Sequence, residues 1–204
     1  RDIKGDEDLP SVWGLDVSRF GNDKTALCKR QGSVVTEIRS WSGLDLMQTV
    51  GRVVAEYEAL APSKQPREIL VDSIGIGSGV VDRLRELGLP VRGINVAEAP
   101  SMGGTYLNLR SELWFKTKAW FEDRACKLPK DDQLLAELTG IRYSFTSSGK
   151  MKAESKDEMR KRGLQSPDLA DALCLTMASD AATALSGAFN SWRGEIKRNL
   201  RGIA

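Results

Sequence analysis

Two aspartates three residues apart, Asp168 and Asp171, lie in the stretch Ser166-Pro167-Asp168-Leu169-Ala170-Asp171-Ala172-Leu173. Ser166 is a favourable N-cap and Pro167 suits a first helical position, so the spacing predicts a helix that starts here and runs on through Leu175 and Met177. Both carboxylates then share one helical face near its positive end, where an anionic pair is tolerated and can hold a divalent cation. Acids in a first turn also simply complement the helix dipole, so a functional reading needs partners elsewhere. Two lone acids supply them. Asp16 falls within the apolar run 12–17, where an unpaired carboxylate is costly to bury. Asp72 closes the apolar run 68–72, at the carboxyl end of a strand, where ligands collect in open α/β sheets. Each acid has an ordinary structural explanation: an ion pair for Asp16, a turn or helix cap for Asp72. The joint pattern points to chemistry, because an all-oxygen acidic cluster suits Mg²⁺ or Mn²⁺ and no soft metal.

Composition narrows the choice of chemistry. The chain has 204 residues, 41% hydrophobic and 28% charged, enough for one globular domain with a sizeable core. It contains no histidine, which removes the usual general base and the common zinc ligand. The three cysteines, Cys28, Cys126 and Cys174, are odd in number and widely separated, which fits core thiols in a reducing compartment. A net charge of +2 is too small to advertise nucleic-acid binding, so any basic surface has to come from local clustering. Lys150, Lys152, Lys156, Arg160, Lys161 and Arg162 form such a cluster within 146–163. No apolar run is long enough to span a bilayer, and no secretory signal pattern is present.

The elements that must position the acids follow from periodicity. Strands are expected at 12–17, 25–30 and 34–41, joined by short turns as an antiparallel meander, with a helix over 45–60 crossing the sheet. A second unit of strand 68–72, helix 80–87 and strand 91–96 reads as βαβ, which makes the sheet parallel on that side. A long amphipathic helix from Tyr106 to about Phe121 and a shorter one over 131–139 follow, the aromatics of the former reading as core. Residues 141–145 read as a strand or hairpin arm. The expected organisation is a linker at 1–10, one domain over 11–185 and a basic tail at 186–204.

With these residues in order, the sequence resembles a known family. Three strands, helix, strand, helix, strand and further helices, with acids at Asp16, at Asp72 and in Asp168-x-x-Asp171, look like the ribonuclease H-like fold. That implies an α/β domain with a mixed sheet of five or more strands, the first three antiparallel, flanked by helices. Gly14-Leu15-Asp16-Val17, Gly21-Asn22-Asp23-Lys24-Thr25, Val71-Asp72 with Gly75 and Gly77, Asn108-Leu109-Arg110-Ser111-Glu112-Leu113-Trp114 and the 166–173 stretch together resemble the C-terminal nuclease domain of the large terminase subunit of tailed bacteriophages. No Gly-x-x-x-x-Gly-Lys-Ser/Thr loop occurs, so an isolated nuclease domain with a linker remnant is expected.

The resemblance implies two-metal hydrolysis of DNA by an endodeoxyribonuclease. One ion with its bound water would supply the nucleophile and a second would stabilise the leaving oxygen, the two about 3.5–4 Å apart. Two divalent cations, Mg²⁺ or Mn²⁺, would be held by Asp16 bridging, Asp72 at one ion and Asp168 at the other, with Asp171 a direct ligand or an orienter. Lys24, Arg110, Lys150, Lys152, Lys156, Arg160 and Arg162 are the expected contacts to double-stranded DNA. The implied partners are a packaging ATPase domain, the small terminase subunit and the portal, in the host cytoplasm and without a membrane. A RuvC-like junction resolvase, a non-catalytic interaction module on the same fold, and a nucleotide-binding domain of the actin and sugar-kinase type are the other readings.

Overall fold

The computed structural model describes residues 9–18 and 23–179. The strands β1 (Ser11–Asp16), β2 (Thr25–Gln31) and β3 (Val34–Trp41) form the antiparallel meander. After helix α1 (Leu46–Glu58) come β4 (Glu68–Asp72), helix α2 (Gly77–Glu86) and β5 (Val91–Ile94). The sheet order is β3-β2-β1-β4-β5, with β4 parallel to both β1 and β5. The chain then forms α3 (Leu109–Glu122), α4 (Asp132–Gly140), a hairpin of β6 (Tyr143–Phe145) and β7 (Met151–Ala153), α5 (Lys156–Lys161) and α6 (Asp168–Leu175). This is the mixed five-stranded sheet with helices on both faces that the sequence pattern implies. Among the described residues no helix is long and apolar enough to cross a membrane.

Strand alternation decides which side chains reach the site. Trp13, Leu15, Ile69 and Val71 face α1 and α2, where they pack with Val50, Val53, Val80 and Leu84. Val12 and Leu70 face the other way, toward α3, α4 and α6. With period-two alternation Asp16 and Asp72 therefore emerge on the α6 face, at the carboxyl ends of neighbouring parallel strands. Val12 pairs with Glu68 and Leu15 with Val71, and the same register carried one residue further sets Asp16 abreast of Asp72.

Two glycines allow the close approaches that complete this corner. A Cβ on Gly14 would lie 2.0 Å from the Ala172 carbonyl oxygen, so only glycine lets α6 rest directly on β1. A Cβ on Gly77 would lie 1.8 Å from the Asp72 carbonyl oxygen, and its absence lets α2 begin beside the end of β4.

Element boundaries differ from expectation in places that have local causes. Helix α6 starts at Asp168 with Pro167 in the cap position, and the Ser166 hydroxyl bonds the Asp168 carboxylate instead of capping. It ends at Leu175 and continues as a 3-10 turn over Thr176–Ala178. Helix α3 begins at Leu109, not at Tyr106, because Asn108 accepts from the Ser111 amide and sets the start. The basic segment 146–163 is a hairpin turn, a strand and a short helix whose N-terminus is fixed by a Ser155/Glu158 capping box. Of the expected linker only Leu9 and Pro10 fall among the described residues, and the tail over 186–204 lies outside them.

Candidate metal centre

The acids from β1, β4 and α6 meet where the sheet's carboxyl edge faces the start of α6. Asp16 and Asp171, with Asp72, Arg110 and Lys156, line a cavity of about 340 Å³. Asp16, Asp168 and Asp171 are each 9% exposed or less. Burial of three carboxylates requires a compensating cation, and Lys156, the first residue of α5, provides it. Its ammonium lies 2.9 Å from Asp16 Oδ2, 3.3 Å from Asp168 Oδ1 and 3.5 Å from Asp171 Oδ2.

The electrostatics follow from three acids sharing one ammonium. Burial pushes the Asp16 carboxyl up to about 7; Lys156 opposes the shift, and Asp171 and Asp168 add to it. Burial also raises Asp72, partly offset by the hydrogen bond from the Ile74 amide. Burial alone would lower Lys156, but Asp16, Asp171 and Asp168 outweigh it and hold its ammonium protonated well above the usual lysine range. The corner is thus a negative pocket built around a positive charge.

The two α6 acids face different surroundings. Asp168 accepts from the Lys24 backbone amide at 2.7 Å through Oδ2 and from the Ser166 hydroxyl at 2.5 Å through Oδ1. It ties the chain entering β2 to the start of α6, and it is absent from the cavity lining. Asp171, one turn later, lines the cavity. Its Oδ1 accepts from the buried Trp114 indole N–H at 2.7 Å and from Arg110 at 3.0 Å. Its Oδ2 turns toward Lys156. Asp171, more than the expected first choice Asp168, is therefore placed beside Asp16 and Asp72.

The expected cationic path takes a different form as well. Arg110 bonds Asp171 and the Glu154 carbonyl, and Lys152 pairs with Glu158 at 2.7 Å. Arg160 pairs with Asp23 and Asp157, Arg162 with Glu154, and Lys156 with the site acids. Lys24 Nζ reaches Gln133 Oε1 at 3.3 Å, and Lys150 sits at the hairpin turn, where its amide bonds Thr146 Oγ1. Five of the seven named cations are committed to carboxylates, so a phosphate approaching them meets ion pairs.

Three contributors escaped the sequence reading. Trp114 reads as core by its helical spacing, although it stands four residues after Arg110 on one helical face, the spacing that lets both reach one acid. Gly14, a glycine inside a strand two residues before a buried acid, carried a legible sign of close approach. Ser166 was read as a cap. A second, larger cavity of about 750 Å³ lies between α3, α4 and β6; it is mainly apolar and contains none of the four aspartates.

A divalent cation fits the donor set. The oxygens are hard and come from Asp16, Asp72 and Asp171. Among the described residues no three ligating side chains gather closely enough to hold an ion in this arrangement. The Lys156 ammonium draws two of these acids, Asp16 and Asp171, together with Asp168 onto itself.

No family model matches the sequence, and no curated protein is similar to it. Solved structures are. A variant of the nuclease domain of the large terminase subunit gp2 of bacterial virus Sf6, with manganese and beta-thujaplicinol, superposes with a TM-score of 0.71 at 22% identity, covering 83% of this chain and 88% of that one. This chain shares the fold of that domain. The large terminase nuclease from thermophilic phage G20c with bound magnesium matches at TM-score 0.63 and 19% identity, over 83% and 80% of the two chains. The large terminase nuclease domain of Thermus phage P74-26 matches at 0.60 and 16%, over 83% and 78%. At these identities the likeness is one of ribonuclease H-like architecture, and the chemistry rests on the site itself.

Proposed function

We propose that this chain is a metal-dependent endodeoxyribonuclease domain of a phage terminase, cutting double-stranded DNA by phosphodiester hydrolysis. The observation that carries the reading is the presence of Asp16, Asp72 and Asp171, from three separate elements and without histidine, in the lining of one cavity that the half-buried Lys156 also lines. The neighbours of like fold were solved as terminase nucleases, several with manganese, magnesium, calcium or cobalt, which supports the same use of the acids here.

Asp16, Asp72 and Asp171 are the residues that would hold Mg²⁺ or Mn²⁺, and Asp168 secures the start of α6 through Lys24 and Ser166. When bound, the ions lower the pKa of a water for attack and stabilise the charge that develops on the leaving oxygen. The protein's own part is to hold the carboxylates together: Lys156 opposes the protonation of Asp16 that burial favours and draws Asp16, Asp168 and Asp171 onto one ammonium, and a metal held by Asp16 and Asp171 would compete with it for them. Lys24 and Lys150, and Lys152, Arg160 and Arg162 by exchanging their carboxylate partners, would contact phosphates, giving sequence-independent affinity that weakens with salt. A packaging ATPase domain, the small terminase subunit and the portal are the partners such a role entails, inside the host cell.

Supercoiled plasmid is the direct substrate for a test. Conversion to nicked and linear forms in Mn²⁺, abolished by EDTA, is the expected outcome. Intact plasmid over a wide range of metal and protein concentration would overturn the proposal in favour of a non-catalytic module.

A further inference from the structure

Helix α3 presents two side chains to Asp171 at once. Trp114 and Arg110 are one turn apart, the guanidinium lies over the indole at 5.7 Å, and both donate to Asp171. The indole N–H reaches Oδ1 at 2.7 Å in a buried environment, while Arg110 spans Oδ1 and Oδ2 at 3.0 and 3.3 Å. Arg110 is held in turn by the Glu154 carbonyl at 2.6 Å. Two donors on Oδ1 leave that oxygen little capacity for a third partner. Oδ2 has Lys156, which lines the same cavity as Asp171, at 3.5 Å and only the longer Arg110 contact besides.

We infer that Trp114 is a positioning residue: its indole N–H fixes the Asp171 carboxylate so that a single oxygen, Oδ2, is presented to a metal. The inference rests on the reading of Asp171 as a metal-holding acid and extends it to a side chain that touches neither metal nor substrate. A tryptophan in this role also keeps the corner dry and stacks Arg110, so one residue orients both partners of the acid. The resulting preference for one-oxygen ligation suits a small cation with strict geometry better than one that accepts bidentate carboxylates.

Trp114→Phe keeps the ring and removes the donor. Mn²⁺ titration by calorimetry should show a dissociation constant raised by about tenfold or more, the range expected for loss of a group that orients a ligand. Trp120→Phe, on the same helix but packed near Arg30, should leave it unchanged. In the unsubstituted protein the Trp114 indole resonance, assigned by its through-space contacts to neighbouring side chains, should shift on titration with Mg²⁺. This second reading needs no variant. Pairing Trp114→Phe with Asp171→Asn should cost no more affinity than Asp171→Asn alone. An unchanged Mn²⁺ affinity in a folded Trp114→Phe protein, or an indole resonance indifferent to Mg²⁺ while the protein binds it, would overturn the positioning role and leave the metal reading standing. If the unsubstituted protein bound no divalent cation, both would fall.

Discussion

Replacing Lys156 by methionine, which keeps the unbranched apolar stem and removes the charged end, isolates the role of the ammonium. The substitution leaves Asp16, Asp168 and Asp171 facing one another across distances now bridged by Nζ, at 2.9, 3.3 and 3.5 Å from it. Removing one partner of a buried ion pair costs about 3–5 kcal/mol. The lysine side chain retains 30% of its exposure, so the lower end, about 3 kcal/mol, applies at pH 8. At pH 6 the loss should shrink to about 1 kcal/mol, because Asp16, already raised to about 7, then takes up a proton in place of the ammonium. A divalent cation no longer has to displace the lysine. Mn²⁺ should therefore bind more tightly, by at least about tenfold and at most about a hundredfold, the equivalent of 3 kcal/mol at 1.4 kcal/mol per decade. Urea unfolding at the two pH values with and without Mn²⁺, together with calorimetric titration, measures every part of this. Equal destabilisation at both pH values, or a Mn²⁺ affinity that stays the same or falls, would refute the idea that Lys156 and the metal compete for one position.

Other consequences follow from the same geometry. Gly14→Ala places a methyl where the Ala172 carbonyl oxygen is 2.0 Å away, so α6 must move; a stability loss of about 1–3 kcal/mol or more and weaker Mn²⁺ binding are expected from thermal melts and titration. The Asp16 carboxyl is raised in the folded state from 3.8 to about 7, so the folded protein binds the proton more strongly. Metal-free stability should accordingly fall as pH rises from about 4 to about 7, this group contributing at most about 4 kcal/mol, and the decline should shrink in Asp16→Asn or in saturating Mn²⁺. Glu158→Gln releases Lys152 from its ion pair and should strengthen DNA binding, whereas Arg160→Ala should weaken it for any sequence, with a salt slope shallower by about 0.9 per lost duplex phosphate contact. Fluorescence anisotropy across a salt series in Ca²⁺ reads both.

Much of the fold and the members of the site were legible because they rest on short-range rules. The apolar runs 12–17 and 68–72 marked Asp16 and Asp72 as strand acids, and the βαβ pattern of 68–96 made the sheet parallel on that side; the parallel pairing of β1 with β4 that sets the two acids abreast comes from the fold. The ranking of Asp168 against Asp171 was not legible. Residues three apart share a helical face, and only the partners brought by distant segments, the Lys24 amide for one and Trp114 with Arg110 for the other, separate a structural acid from a cavity-facing one. The same limit applies to the basic segment. Its charges were visible, but their partners Asp23, Glu154 and Glu158 are chosen by the packing of the hairpin and α5. Lys156 could be read as one more surface cation, since nothing local reveals that the first residue of α5 reaches across to the end of β1.

In the proposed function Asp16, Asp72 and Asp171 hold the metal ions at which DNA is cut. Plasmid cleavage in Mn²⁺ by the unsubstituted domain and by Asp16→Asn, each verified by circular dichroism and thermal melting, tests it most directly. The account predicts nicking and linearisation by the former, none by the latter, and a metal-free Asp16→Asn protein at least as stable as its parent at pH 8, because a charge has left a self-repelling cluster. Cleavage retained in Asp16→Asn would contradict it, as would a variant that simply unfolds, since that outcome would make Asp16 half of a structural ion pair with Lys156.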